Sequence, residues 1–124
     1  MLKRMGEPSI QCSDHEISPQ AYARIRGAQG EGDREPPVLL DVREPWEAER
    51  AKLEGAILMP MGDVPSRAHA ELDPDAHIVV LCHRGQRSLS VAIWLRGQGF
   101  ECAQSLAGGL DRWSREIDAG VPRY

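Results

Sequence analysis

Residues 79–95 constrain the fold of this chain most tightly. The run Val79-Val80-Leu81 passes into Cys82-His83-Arg84-Gly85-Gln86-Arg87-Ser88, and a second apolar segment follows, Leu89-Ser90-Val91-Ala92-Ile93-Trp94-Leu95. Three consecutive branched apolar residues suit a strand buried on both faces, and the second segment is long enough, and free enough of Gly and Pro, to be a helix. Cys82 therefore stands at the carboxyl end of a strand, in a tight turn. A helix opening near Arg87 or Ser88 leaves its first N–H groups without intrahelical partners, and the preceding loop can aim others at the same point. That arrangement favours an anion such as a thiolate, and Arg84 and Arg87 add positive charge beside the sulfur. The stretch predicts a reactive, nucleophilic Cys82.

The rest of the chain alternates strand and helix. Ser18-Pro19 reads as a helix entry, with Ala21, Tyr22 and Ile25 on one apolar face. A Gly-, Pro- and charge-rich connection over residues 27–37 precedes a buried strand, Val38-Leu39-Leu40-Asp41-Val42, and Glu44-Pro45 opens a helix to about Arg50. A short strand is expected in residues 55–60, a helix in 63–72, a strand in 78–81, a helix to about Gln98 and a strand in 100–106. After Gly108-Gly109, Leu110, Trp113 and Ile117 fall on one helical stripe. Strands alternating with helices across short connections predict an α/β fold, a mostly parallel central sheet flanked by helices on both faces.

A chain of 124 residues suits one domain with its own core. Residues 1–16 show no apolar period and are expected to be a flexible tail, with one domain over 17–124. The formal net charge of -4 argues against a nucleic-acid surface, which needs a basic face. Cys12, Cys82 and Cys102 are odd in number and widely spaced, unlike a secreted disulfide framework. No segment has the length of a signal-peptide core or of the roughly 20 apolar residues that span a membrane. A soluble cytoplasmic protein is expected.

In open α/β sheets the ligand crevice lies beyond the carboxyl ends of the strands, where Asp41, Arg43 and Cys82 should meet. Cys102, opening an apolar strand, is expected to pack, and Cys12 to be a spare thiol in the tail. Cys12-x-x-His15 with Cys82-His83 is a poor zinc set, because adjacent residues rarely converge on one tetrahedral ion. His83 is expected to line the pocket mouth, and Arg84 and Arg87 to hold an anionic substrate. Gly85 answers to backbone geometry, Asp41 and Arg43 to an ion pair bracing the crevice, and Trp46, Trp94 and Trp113 to packing.

These residues resemble the single-domain rhodaneses, which are sulfurtransferases, over about residues 17–117. The landmarks are Leu40-Asp41-Val42-Arg43 with Glu44 and Trp46, Leu53-Glu54-Gly55-Ala56-Ile57, the loop Cys82-His83-Arg84-Gly85-Gln86-Arg87-Ser88, and Leu106-Ala107-Gly108-Gly109 with Trp113. The family often carries His-Ile-Pro where this chain has Lys52-Leu53-Glu54. The resemblance implies a three-layer rhodanese-like fold and transfer of a sulfane sulfur from a donor such as thiosulfate to cyanide or a thiol, through a persulfide on Cys82. It implies that His83, Arg84, Gly85, Gln86, Arg87 and Ser88 cradle the substrate, that Asp41 and Arg43 support the site, and that no cofactor or metal is needed. The implied partners are a small-molecule sulfur donor and a thiol acceptor, a thioredoxin-like or other acceptor protein among them, and neither nucleic acid nor membrane. A related class of Cys-based phosphatases needs Arg six residues after the cysteine; here that position is Ser88 and Arg87 is fifth, so the smaller loop suits sulfur better than phosphate. A non-catalytic or sulfur-relay module that binds a partner through the same cleft is the alternative, ahead of a Cys-based phosphatase or arsenate reductase.

Overall fold

The structure is a computed structural model that describes residues 12–27 and 36–124. Among these, five strands form one sheet: β1 (Glu16–Ile17), β2 (Val38–Asp41), β3 (Ile57–Leu58), β4 (Ile78–Leu81) and β5 (Ala103–Leu106). All neighbours pair in parallel, in the order β1-β5-β4-β2-β3. Five helices connect or follow them: α1 (Pro19–Gly27), α2 (Pro45–Arg50), α3 (Val64–Glu71), α4 (Gln86–Gly97) and α5 (Gly109–Glu116). No helix among the described residues is long and apolar enough to cross a membrane.

The uninterrupted apolar run of β4 has its cause in its central position, where all four residues are buried. Side chains alternate across a strand, so β4 feeds two cores. Ile78, Val80 and Cys82 join Leu40 and Val42 under Val64, Ala68, Val91 and Leu95 of α3 and α4. Val79 and Leu81 join Leu39 and Leu106 under Tyr22, Leu110 and Trp113 of α1 and α5. This is the expected α/β arrangement, a parallel sheet covered on both faces.

Local chemistry sets the ends of the elements. The Ser18 hydroxyl accepts the Ala21 N–H at 3.1 Å and caps α1. The strand expected over residues 100–106 is shorter: the Phe100 N–H closes onto the Leu95 carbonyl at 3.0 Å, so this residue finishes the turn after α4, and pairing begins at Ala103. At Lys52-Leu53-Glu54, Leu53 is buried in the second core, and the Glu54 carbonyl accepts from Arg26 at 2.8 Å.

The expected tail needs correction. Residues 1–11, and residues 28–35 of the first long connection, lie outside the described residues. Residues 12–17 are held to the sheet. β1 pairs with β5, Cys12 forms a disulfide with Cys102, and Arg96 donates to the carbonyls of Cys12 and Asp14. The expectations of a packing Cys102 and a spare Cys12 thiol are thus replaced by a covalent link across 90 residues. The Cys102 carbonyl accepts the Ile78 N–H at the amino end of β4, so this disulfide lies at the opposite end of the sheet from Cys82.

Candidate active site

The site stands where β2 and β4 end. Val42 donates to the Leu81 carbonyl at 2.9 Å, which brings the turn after β2 alongside the turn after β4. Cys82 is only 1% exposed and is the one free cysteine among the described residues. Its Sγ accepts the N–H of Gly85 at 3.0 Å and of Ser88 at 3.3 Å. The turn that aims these donors needs Gly85 at φ +98°, a conformation L side chains rarely adopt.

A second helix braces the turn from behind. The N–H groups of Leu110 and Asp111, at the start of α5, donate to the carbonyls of Cys82 and His83 at 2.9 and 3.0 Å. Those N–H groups have no partners inside their own helix, and the loop carbonyls supply them. The close approach explains Gly109, where a Cβ would lie 2.5 Å from the His83 carbonyl oxygen.

The sulfur also meets a chain of hydroxyls. Cys82 Sγ donates to Ser88 Oγ at 3.3 Å, Ser88 Oγ lies 2.7 Å from Ser105 Oγ on β5, and Ser105 Oγ is 3.5 Å from the Gly85 carbonyl. With the thiol protonated, donors run from sulfur to Ser88 to Ser105. When the proton leaves, both hydroxyls can rotate so that Ser88 donates to the thiolate.

The loop residues expected to cradle a substrate divide by burial. His83, Arg84, Gln86 and Arg87 line a pocket of about 100 Å³ over Cys82. Gly85 and Ser88 are buried, so Gly85 acts through its backbone and Ser88 faces the Cys82 sulfur from within, not a substrate from outside. Arg87 is engaged: its guanidinium donates through both Nη atoms to Glu47, each at 2.8 Å, and its charge is paired. The loop's exposed cation is Arg84.

Asp41 and Arg43 form a buried two-pronged pair at 2.8 and 2.7 Å. Sequence reasoning passed over three other residues, Glu47, Ser105 and Tyr124. Glu47 accepts four donors: both Arg87 nitrogens, the Glu44 N–H at 3.0 Å and the Tyr124 hydroxyl at 2.9 Å. Its hydrogen bonds with Arg87, against the opposing effect of burial, hold its carboxyl down at about 2. Glu47 also raises the Arg87 pKa, chiefly by that hydrogen bonding. Tyr124 accepts from Arg43 Nη1 at 2.9 Å and stacks on His83 with ring centroids 4.1 Å apart. A Glu three residues after Glu44 was a visible capping-box spacing. Nothing in the sequence pointed to Tyr124 or Ser105.

The chain matches the family model of the Rhodanese-like domain over residues 18–116. It belongs to the rhodanese family. Among its relatives, a sulfurtransferase of Allochromatium vinosum is 32% identical over 73% of this chain and 80% of its own length. A rhodanese-like/PpiC domain-containing chloroplast protein of Arabidopsis thaliana is 38% identical over 69% of this chain. The chain spans 30% of that protein and less than half of several other curated relatives. The solution structure of a rhodanese-like domain from Anabaena has a TM-score of 0.70 and 27% identity, covering 88% of this chain and 77% of that one. The three-layer α/β fold is therefore the rhodanese fold, and Cys82 occupies its strand-to-helix turn.

Proposed function

We propose that this rhodanese is a sulfurtransferase that carries a sulfane sulfur on Cys82, with thiosulfate as a competent donor and cyanide or a thiol as acceptor. The observation that carries the reading is the cradle at Cys82: a buried sulfur under two backbone N–H donors, opening into a pocket of about 100 Å³ with room for a small sulfur donor. Relatives named as sulfurtransferases and as a putative sulfur carrier support it.

In the first half-reaction the Cys82 thiolate attacks the outer sulfur of thiosulfate. The Sγ–S bond forms, the S–S bond of the donor breaks, and sulfite leaves with the electron pair. The Gly85 and Ser88 N–H groups stabilise the anionic sulfur at both stages, and Arg84 at the pocket mouth attracts the departing anion. In the second, a thiolate or cyanide attacks the outer sulfur and Cys82 leaves as the thiolate. Both steps need no group beyond the chain and its substrates. The acceptor is proposed to include the thiol of a thioredoxin-like protein. A cytoplasmic location is part of the same proposal, and there the Cys12–Cys102 pair would stand reduced, as two thiols.

Intact-mass measurement after thiosulfate treatment tests this. The wild type gains one sulfur atom and Cys82→Ser gains none. An unchanged wild-type mass, with the Cys82 thiol verified as free, would overturn the reading.

A further inference from the structure

Residues 118–124 run back from α5 to the site, and their last side chain joins three groups that the loop alone does not connect. We propose that Tyr124 is a positioning residue that sets the reach of Arg87 toward the Cys82 sulfur by fixing the Glu47 carboxylate; this rests on the sulfurtransferase reading for its kinetic consequence.

The geometry supplies both ends of the device. On one side, Asp41 pins Arg43, whose side chain is fully buried, and Arg43 Nη1 donates to the Tyr124 oxygen at 2.9 Å. On the other, the Tyr124 hydroxyl donates to Glu47 Oε1 at 2.9 Å, and Glu47 grips Arg87 with both oxygens. The single phenol hydroxyl therefore links a rigid buried ion pair to a half-exposed one, with Glu47 only 4% and Arg87 37% exposed. The ring completes the contact by stacking on His83 and meeting Trp46 edge-on at 6.3 Å.

The direction of the effect follows from competition for one carboxylate. Each donor on Glu47 Oε1 draws off negative charge that would otherwise serve Arg87. Without the hydroxyl, Glu47 holds Arg87 more strongly and in a less defined orientation, so the guanidinium offers less to an anion at the sulfur. The substituted protein should then bind an anionic donor less well, while the reactivity of Cys82 toward a neutral reagent stays the same.

Two alkylating reagents read this without any sulfur transfer. Iodoacetate is anionic and iodoacetamide neutral, so the ratio of their rates at Cys82 reports the positive field there. In Tyr124→Phe, which keeps the ring stack, the ratio should fall about threefold, a fraction of the full effect of a hydrogen bond to a charged group, because it reaches the sulfur only through Glu47 and Arg87. The KM for thiosulfate should rise by a similar factor while kcat holds. In a Glu47→Gln background the same substitution should change neither quantity, because the hydroxyl acts through that carboxylate. A purely structural role for Tyr124 would lower the amount of reactive thiol and leave both ratio and KM alone. An unchanged ratio in Tyr124→Phe, or a change that persists with Glu47→Gln, would overturn the proposal. If the wild type takes no sulfur from thiosulfate while the alkylation ratio responds as stated, the sulfurtransferase reading fails and the positioning role stands.

Discussion

At the level of single residues the site depends on backbone approach and on a few hydroxyls. Gly109→Ala places a Cβ 2.5 Å from one loop carbonyl and 2.6 Å from the next, at a φ of +62°. Its cost should be about 2–4 kcal/mol, read from the midpoint shift in urea unfolding, with a loss of Cys82 reactivity as the loop moves. Ser88→Ala is milder because it leaves the two backbone donors to sulfur in place. It removes the hydroxyl that takes the thiol proton's hydrogen bond and then donates to the thiolate, and should slow iodoacetamide alkylation of Cys82 about tenfold at neutral pH. An unaltered rate would mean that the hydroxyl chain to Ser105 has no part in activating the sulfur.

Like β3 at the opposite edge, β1 offers only two residues to the sheet. It depends on the Cys12–Cys102 disulfide and on Arg96 and Gln104, which donate to carbonyls of the segment before it. Replacing both cysteines by serine should leave the centre of the sheet intact and loosen its edge. Amide exchange should accelerate at Ser105 and Ala107, whose N–H groups are bound to the carbonyls of His15 and Ile17, and hold steady at Val42, which is bound to Leu81. Sulfur transfer should persist, because the disulfide sits at the far end of the sheet from Cys82. α5 contrasts with β1: its stripe of Leu110 and Trp113 is buried, and its first N–H groups complete the active loop, so it serves core and site together.

Across the whole molecule, the Glu47–Arg87 pair ties α2 to the start of α4 over the pocket. The Glu47 carboxyl lies at about 2 when folded, against an ordinary 4.5. Its contribution is therefore fully present above pH 4.5 and is lost as pH falls toward 2. With the half-exposed Arg87 discounted for screening, that contribution should be about 2 kcal/mol. Glu47→Gln should flatten the acid limb of a stability-against-pH curve and lower stability at neutral pH. A limb as steep as the wild type's would show that the pair does not hold the two helices together. Much of this architecture was legible beforehand. The buried run 79–81, the Cys-to-Ser loop and the alternating elements specified a parallel α/β sheet and a cysteine at a strand's carboxyl end, because local period and loop spacing are properties of neighbouring residues. What depended on distant residues was not. β1 is too short to show a period, and the pairing of Cys12 with Cys102 depends on how a tail returns to the sheet. The paired state of Arg87 arises because Glu47, 40 residues earlier, is carried beside it by two parallel strands. Tyr124 reaches the same carboxylate from the far end of the chain. The sequence by itself determined the placing of Cys82 in a strand-to-helix turn; tertiary packing alone decided which charges at the pocket are paired and which are exposed, because hydrogen-bond partners are set by proximity in space.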